Sequence, residues 1–229
     1  EENKLEPEIS NVLWKVLEDS AHYSFNKSHS IAYAAQAALT TYLKFKHPKE
    51  FFLALLKMSR HEPEPIPEIS KIHREMNDLG VKLLPPHLIK SQMDFAIEQQ
   101  GIRFGLLSIK GISDKSIEKL QKFKNEYSTK FEVFEAAKKA GVDMGILCAL
   151  IQAGAFEGFT QSRTRVVYEA QVWNILTPRE KVLIHKFGKK FNYDLIKIIK
   201  HLYTHKNPDG KAYIIEKRQG TIKKKVEKY

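Results

Sequence analysis

The sequence predicts a mainly α fold: several helices, a small β-hairpin, and a second series of helices that includes a helix-hairpin-helix pattern. Two observations lead to this fold class. Through most of the chain, apolar residues recur at three- and four-residue intervals, as the buried face of an α-helix requires. Residues 81–105 differ, because apolar and polar residues alternate there between prolines and glycines, which is typical of short strands.

Helix boundaries follow from proline, glycine and the apolar spacing. The second helix is rich in alanine, has an apolar face suited to burial, and ends at His47-Pro48 because proline disfavours helical geometry in the preceding residue. Three prolines within residues 63–67 indicate an extended linker or sharp corner, and Gly80 ends the helix that follows. In chain order the expected helices are 8–19, about 30–46, 49–59, 66–80, 113–124, 130–140, 143–153, 161–175, 178–187 and 191–203.

Two stretches are expected to form strands. The alternation within residues 81–105 predicts short strands with a hairpin about Gln99 to Gly101. Near the C-terminus, an Asp209-Gly210 turn and the alternating run at 212–229 predict a strand pair or the edge of a missing domain.

Charge and cysteine content narrow the class of protein. A single cysteine, Cys148, excludes a disulfide within the chain and fits a reducing cytoplasm. No run of residues approaches the roughly 18 to 20 apolar residues of a membrane span. The net charge is +11, and residues 160–229 hold 17 basic against 6 acidic side chains, whereas residues 1–159 hold 21 of each. A basic excess of this size attracts polyanions, most commonly nucleic acid.

No complete active site is expected on this chain. Its seven aspartates stand apart, and no Asp-x-Asp pair places two carboxylates on one side of a strand to bind a metal ion. The sequence also lacks zinc-ligand spacing, a P-loop and a Gly-x-Ser-x-Gly elbow. It begins with Glu1 rather than Met and ends in a lysine-rich run, so we expect a fragment of a longer protein. The chemistry that remains is the binding of anions.

The first candidate anion site lies at the start of the alanine-rich helix, in the stretch FNKSHSIAYA. The leading amides of a helix lack internal partners and carry a partial positive charge, which suits a phosphate. Lys27 adds a full charge, and Tyr33 lies on the same face as His29 one turn later. The alternative is structural: Ser28 caps the helix, His29 bonds a backbone carbonyl and Lys27 is solvated. The residues of this site are Asn26, Lys27, Ser28, His29 and Tyr33.

The second candidate site is IRFGLLSIKGISDKSIEKLQKF, residues 102–123. An apolar stretch, a glycine-bearing turn and a helix follow one another there, and the backbone N–H groups of such a turn contact a nucleic-acid phosphate without reading a base. Ser113 stands where the pattern usually has a second glycine, and the alternative is an ordinary helix capped by Ser113 or Asp114. The residues of this site are Lys110, Gly111, Ile112, Ser113 and Lys115.

Four motifs, taken in order, resemble the alpha subunits of bacterial DNA polymerase III, the C-family of replicative polymerases. They are FNKSHSIAYA with YLKFKHPKEFFLALL (25–56), LGVKLLPPHLIKS with the strand pair (79–104), FGLLSIKGIS (104–113) and LIQAGAFEGF (150–159). Residues after about 165 match nothing in this pattern.

This resemblance implies three regions: a fingers portion at 1–105, a helix-hairpin-helix region that holds duplex DNA at 106–160, and a basic helical tail of unassigned role at 161–229. The first candidate site would contact the triphosphate of an incoming deoxynucleoside triphosphate. The parent would be a DNA-directed DNA polymerase whose palm, with catalytic aspartates and magnesium, lies outside this chain, so no cofactor is expected here. The implied partners are duplex DNA, the nucleotide, the palm and other replisome subunits, in the cytoplasm and without a membrane.

One alternative function remains open from the residues alone. The alternative is a stand-alone DNA-binding or scaffold module that is independent of base sequence and has no polymerase role. A DNA-binding surface would show an affinity that falls steeply with salt, since neutralised phosphates release their counterions.

Overall fold

The computed structural model describes residues 6–24, 27–159 and 161–226 and confirms the mainly α fold. The eleven α-helices of this described part are α1 (Pro7–Ser24), α2 (Lys27–Lys46), α3 (Pro48–Ser59), α4 (Pro65–Asp78), α5 (Ile117–Phe123), α6 (Lys130–Lys139), α7 (Met144–Ala153), α8 (Arg163–Asn174), α9 (Pro178–Phe187), α10 (Leu195–Thr204) and α11 (Glu216–Val226). The strands are β1 (Leu83–Leu84), β2 (Ala96–Glu98) and β3 (Gly101–Arg103). The chain divides into two units, residues 1–52 and 53–229.

The first unit consists of α1, α2 and the beginning of α3. Every described side chain of α1 as far as residue 21 is exposed, and α2 has no buried residue. The apolar face that the spacing predicted for α2 is therefore exposed among the residues that the structure describes. The large apolar side chains exposed on these two helices are Ile9, Val12, Leu13, Trp14, Val16, Leu17, Ile31, Tyr33, Leu39, Tyr42, Leu43 and Phe45.

The second unit contains a continuous apolar core that runs from Leu88 to Ile222. Trp173 of α8 is buried in this core and stacks on Phe131 of α6, with ring centroids 4.9 Å apart and planes at 11°. Such a pair removes a large apolar area from water, which is the main favourable term in folding. The helices from α5 to α11 thus enclose one core.

The small sheet lies between α4 and α5 in the chain and has the strand order β1-β3-β2. The predicted hairpin is confirmed, since β2 and β3 are antiparallel and Glu98 pairs with Gly101 across a two-residue turn. β1 lies parallel to β3, with Leu83 opposite Ile102. Ile102 of β3 is fully buried and is the first residue of the second candidate site.

The strand pair predicted over 212–229 is wrong. Residues 216–226 form α11, and the strand-like contact there is one isolated bridge between Lys206 and Ala212. Arg218 and Ile222 are four residues apart, so a helix turns both toward α8 and α9. Ile222 is fully buried, and Arg218 bonds the Glu180 carboxylate at 2.8 and 2.9 Å. Tertiary contacts therefore determine a helix where local alternation favoured strands.

The helix predicted over 191–203 begins later, at Leu195. Asn192 and Tyr193 have φ values of 49° and 54°, in the left-handed region, which interrupts the helix that starts as a 3₁₀ turn at Lys189–Phe191. Asp194 then caps α10, its carboxylate accepting the Lys197 N–H at 3.0 Å.

The carboxylate of Glu180 is expected to make the second unit sensitive to acid. Burial alone would raise the pKa of Glu180, but hydrogen bonds from Arg218 and from the backbone and hydroxyl of Thr177 hold the pKa below its usual value of 4.5. The folded pKa is depressed, so this stabilisation is fully present above the unfolded pKa and is lost as pH falls through the folded value. We expect Glu180→Gln to lower stability at neutral pH by about 1.5–3 kcal/mol and to flatten the acid dependence.

Urea unfolding between neutral pH and pH of about 3 measures this effect. Glu118→Gln is the matched control, because Glu118 is exposed on α5. Glu118→Gln should lose stability with falling pH as the unchanged protein does, and Glu180→Gln should lose less. If Glu180→Gln loses as much as the other two, Glu180 does not contribute to the acid sensitivity.

Candidate nucleic-acid interface

The second candidate site folds as a tight turn over residues 109–112. The Ile112 N–H donates to the Ile109 carbonyl at 3.1 Å, and both side chains are buried. Lys110 and Gly111 between them are exposed. Gly111 has φ of +91°, and a turn with positive φ at its third residue requires glycine or asparagine there. Two buried isoleucines thus anchor a turn that presents the main chain of Lys110 and Gly111 to solvent.

The elements around this turn are short. A 3₁₀ turn at Leu106–Ser108 precedes it, and a 3₁₀ turn at Asp114–Ser116 leads into α5. Ser113 makes no side-chain capping bond, and the Asp114 carboxylate accepts the Arg60 guanidinium at 2.7 Å. This geometry does not favour the alternative of an ordinary capped helix.

The predicted residues 110–113 and Lys115 are brought together at this turn. Lys110 and Lys115 are exposed, and within the described part of the chain neither has an ion-pair partner. Ile112 is an anchor in the core rather than a contact residue. The site therefore offers main-chain N–H groups with two lysine ammonium groups beside them.

A second exposed glycine turn, which the sequence did not predict as a binding site, joins α6 to α7 as the C-terminal ending of α6. Gly141 has φ of +72°, and the buried Val142 donates its N–H to the Ala137 carbonyl at 2.8 Å. Lys138 and Lys139 are exposed just before it. One sequence signal could have pointed to this turn. Residues 141–143 repeat the order of residues 111–113: glycine, a β-branched apolar residue and a short polar residue.

An ion pair connects α5, the helix that follows the Lys110-Gly111 turn, to the second turn. Lys119 of α5 lies 3.0 Å from the carboxylate of Asp143, the residue that precedes α7. Exposed pairs of this type contribute little to stability, about 0–1 kcal/mol. The distance nevertheless shows that α5 and the second turn are adjacent.

The first candidate site lies at the start of α2. Lys27, Ser28 and His29 form its first turn with exposed side chains, while Asn26 falls outside the described residues. The structure brings His29 and Tyr33 together, with ring centroids 4.4 Å apart in an edge-to-face arrangement. Ser28 lies inside the helix rather than before it, which does not favour its alternative role as the cap.

Neither metal ligation nor membrane insertion is supported by the described residues. Residues 6–24, 27–159 and 161–226 contain no group of three or more His, Cys, Asp or Glu side chains arranged to hold a metal ion. The carboxylates in these ranges are therefore not arranged as the magnesium site that the resemblance implies for the polymerase would require. Within the same ranges, no helix is both long and apolar enough to cross a bilayer.

Residues 80–166 match the family described as the helix-hairpin-helix motif, a range that includes both turns. A DNA polymerase III subunit alpha from Chlamydia pneumoniae is 34% identical over 164 residues, which are 70% of this chain and 13% of that protein. The subunit from Halalkalibacterium halodurans is 31% identical over 161 residues, covering 69% of this chain and 14% of the relative. That from Aquifex aeolicus is 33% identical over 158 residues, covering 67% and 13%.

The chain is homologous to a segment of the DNA polymerase III alpha subunit. The resemblance carried by the four motifs is thereby confirmed, and the second candidate site lies within the residues that match the helix-hairpin-helix family. The chain spans 13–14% of the length of these alpha subunits. The predicted divisions at residues 105 and 160 stay predictions, and the helix-hairpin-helix match ends at residue 166.

Proposed function

We propose that this chain serves a replicative DNA polymerase by holding duplex DNA through its phosphates and by placing the start of α2 against the incoming deoxynucleoside triphosphate. The observation that carries the proposal is the exposed Lys110-Gly111 turn, anchored by buried isoleucines. Catalytic carboxylates and magnesium would belong to a palm elsewhere in the protein, and other replisome subunits would be further partners.

The chemistry of the turn supports contact with a phosphate. Gly111 lacks a side chain, so a phosphate oxygen can approach the main-chain N–H groups closely. Lys110 and Lys115 add two positive charges within a few residues. Contacts of this kind fix a protein on the DNA backbone and carry no base information. The proposed binding is therefore independent of base sequence.

The start of α2 has the features of a triphosphate contact. The amides of its first turn lack intrahelical partners and lie at the positive end of the helix dipole. Lys27 is exposed at that end, and His29 with Tyr33 forms an aromatic pair one turn along the same face. In phosphoryl transfer such groups position the triphosphate and neutralise developing charge.

Duplex binding by the turn is tested with Lys110→Gln/Lys115→Gln. We expect the double variant to bind a short duplex about 30-fold more weakly at low salt, since each of the two lost charge-assisted contacts costs on the order of 1 kcal/mol. The log–log salt slope should become shallower by about 2, because each lost phosphate contact removes about 0.9. Fluorescence anisotropy over a salt series measures both quantities.

The matched control is Lys57→Gln/Lys71→Gln, which removes the same charge from exposed positions on α3 and α4. It should leave the slope unchanged. If the two double variants lose affinity equally, only net charge matters and the turn is not a specific contact. If the unchanged chain shows no salt dependence, backbone binding itself is refuted.

A further inference from the structure

A cluster of aromatic rings lies at the C-terminal end of the second unit, outside the helix-hairpin-helix match. We call it the aromatic platform, and it comprises Phe187, Phe191, His201, His205 and Tyr213. The His201 ring is central, with its centroid 5.0 Å from both phenylalanine rings and 4.0 Å from the ring of His205. Tyr213 extends the row, 5.4 Å from Phe187. These residues come from α9, α10 and the loops that follow.

The platform is held by the core yet remains accessible. Phe187, Phe191 and Tyr213 pack against buried residues of the second unit on one side and keep part of their surface in solvent. His201 is also partly exposed, and His205, which follows the last turn of α10, is exposed. Rings fixed in this way lose little conformational freedom when a planar ligand stacks on them.

Lysines surround these rings. Residues 185–213 contain seven lysines against two aspartates, and one of the two, Asp194, is buried and paired with Arg165 at 2.8 Å. The Lys190 ammonium lies 5.6 Å from the centre of the Phe191 ring. Lys197 lies one turn before His201 on the same face of α10. Partial burial, the charge of His205 and the charge of Lys190 lower the pKa of His201.

We propose that the aromatic platform and its lysines bind single-stranded nucleic acid, with bases stacked on the rings and phosphates bound by Lys190 and Lys197. Aromatic rings combined with a positively charged surface are the chemistry by which proteins bind single strands without sequence preference. Bases within a duplex stack on one another, so they do not offer their faces to such rings. The aromatic platform is distinct from the proposed contacts of the Lys110-Gly111 turn, which involve only the phosphates of the DNA and none of its bases.

The test uses the 229-residue chain and two oligonucleotides of about 12 positions, one of deoxythymidine and one abasic, which carry the same phosphates with and without bases. We expect the deoxythymidine strand to bind about 10-fold or more tightly than the abasic strand.

His205→Ala should remove most of that difference while leaving the abasic affinity unchanged. Lys190→Gln/Lys197→Gln should weaken both strands alike, whereas Lys57→Gln/Lys71→Gln should weaken neither beyond the effect of net charge.

Equal affinity of the two strands for the unchanged chain would overturn the proposal, because stacking would contribute nothing. So would an equal loss in the two lysine double variants. Lysine-dependent binding to phosphatidylglycerol vesicles without binding to deoxythymidine would also overturn it and assign the surface to anionic lipid. The proposed hairpin function fails separately, because Lys110→Gln/Lys115→Gln should reduce duplex binding and leave the deoxythymidine strand bound.

Discussion

Replacing Lys27 with alanine in a full-length DNA polymerase III alpha subunit that carries this segment is expected to lower kcat/KM for nucleotide incorporation about 10- to 100-fold. A charge-assisted contact to a phosphate is worth roughly 1.5–3 kcal/mol, and each 1.4 kcal/mol corresponds to about a factor of ten. The affinity for primer–template duplex should stay unchanged, since Lys27 lies on α2 and the proposed duplex contacts lie on the hairpin turns. Single-nucleotide incorporation and duplex anisotropy measure the two quantities.

Lys46→Ala is the matched control for this prediction. It removes an exposed lysine from the last turn of the same helix, where the amide donors of the first turn are absent. His29→Ala should resemble Lys27→Ala, because His29 lies in the same turn. Unchanged incorporation in both would refute the nucleotide contact. An equal loss of incorporation and duplex affinity would instead favour a DNA-binding module without a role in the chemistry.

Lys130→Met is expected to destabilise the second unit by about 3 kcal/mol, toward the lower end of the cost of breaking a buried ion pair, because Glu169 loses its nearest cation but keeps Arg165 at 3.7 Å. The side chains of Lys130 and Glu169 are 3% and 0% exposed and form an ion pair between α6 and α8. Burial raises the pKa of Glu169 and lowers that of Lys130, because removal from water disfavours the charged form of each group. Urea unfolding of the variant measures the loss.

Glu169→Gln provides the rescue for this variant. Its amide keeps the oxygen that accepts the Leu195 N–H at 3.2 Å but removes the negative charge. Lys130→Met/Glu169→Gln should therefore regain most of the stability that Lys130→Met loses. Lys138→Met, at an exposed position of the same helix, should cost little. A double variant no more stable than Lys130→Met would show that packing, rather than the unpaired charge, accounts for the loss.

Local sequence signals predicted most of the helices and the hairpin. The bounds of α9 agree with the prediction because Thr177 and Pro178 mark its start and Gly188 follows its end. α11 was missed because the residues that hold it, Glu180 and the apolar core around Ile222, are distant in sequence or carry no helical signal. Apolar spacing likewise indicated an amphipathic α2 but not whether this chain covers it.

The candidate sites were predictable to different degrees. Gly111 could be found because a single glycine between an apolar run and a helix requires an unusual backbone conformation. Gly141 has the sequence and the hydrogen bonds of an ordinary helix ending, so only its exposed position beside Lys138 and Lys139 marks it as a candidate contact. The aromatic platform was invisible, since its rings span residues 187–213 and only tertiary packing brings them together.

The main-chain character of the Lys110-Gly111 turn has a consequence for movement. Every nucleotide step of a duplex places an identical phosphate at the same spacing, whatever the base pair. A turn that binds phosphates through its amides meets the same chemical group after each one-nucleotide step. Its affinity for the duplex therefore stays the same as the protein advances along a template. Such a turn suits a protein that must move along DNA of any base sequence at an even rate.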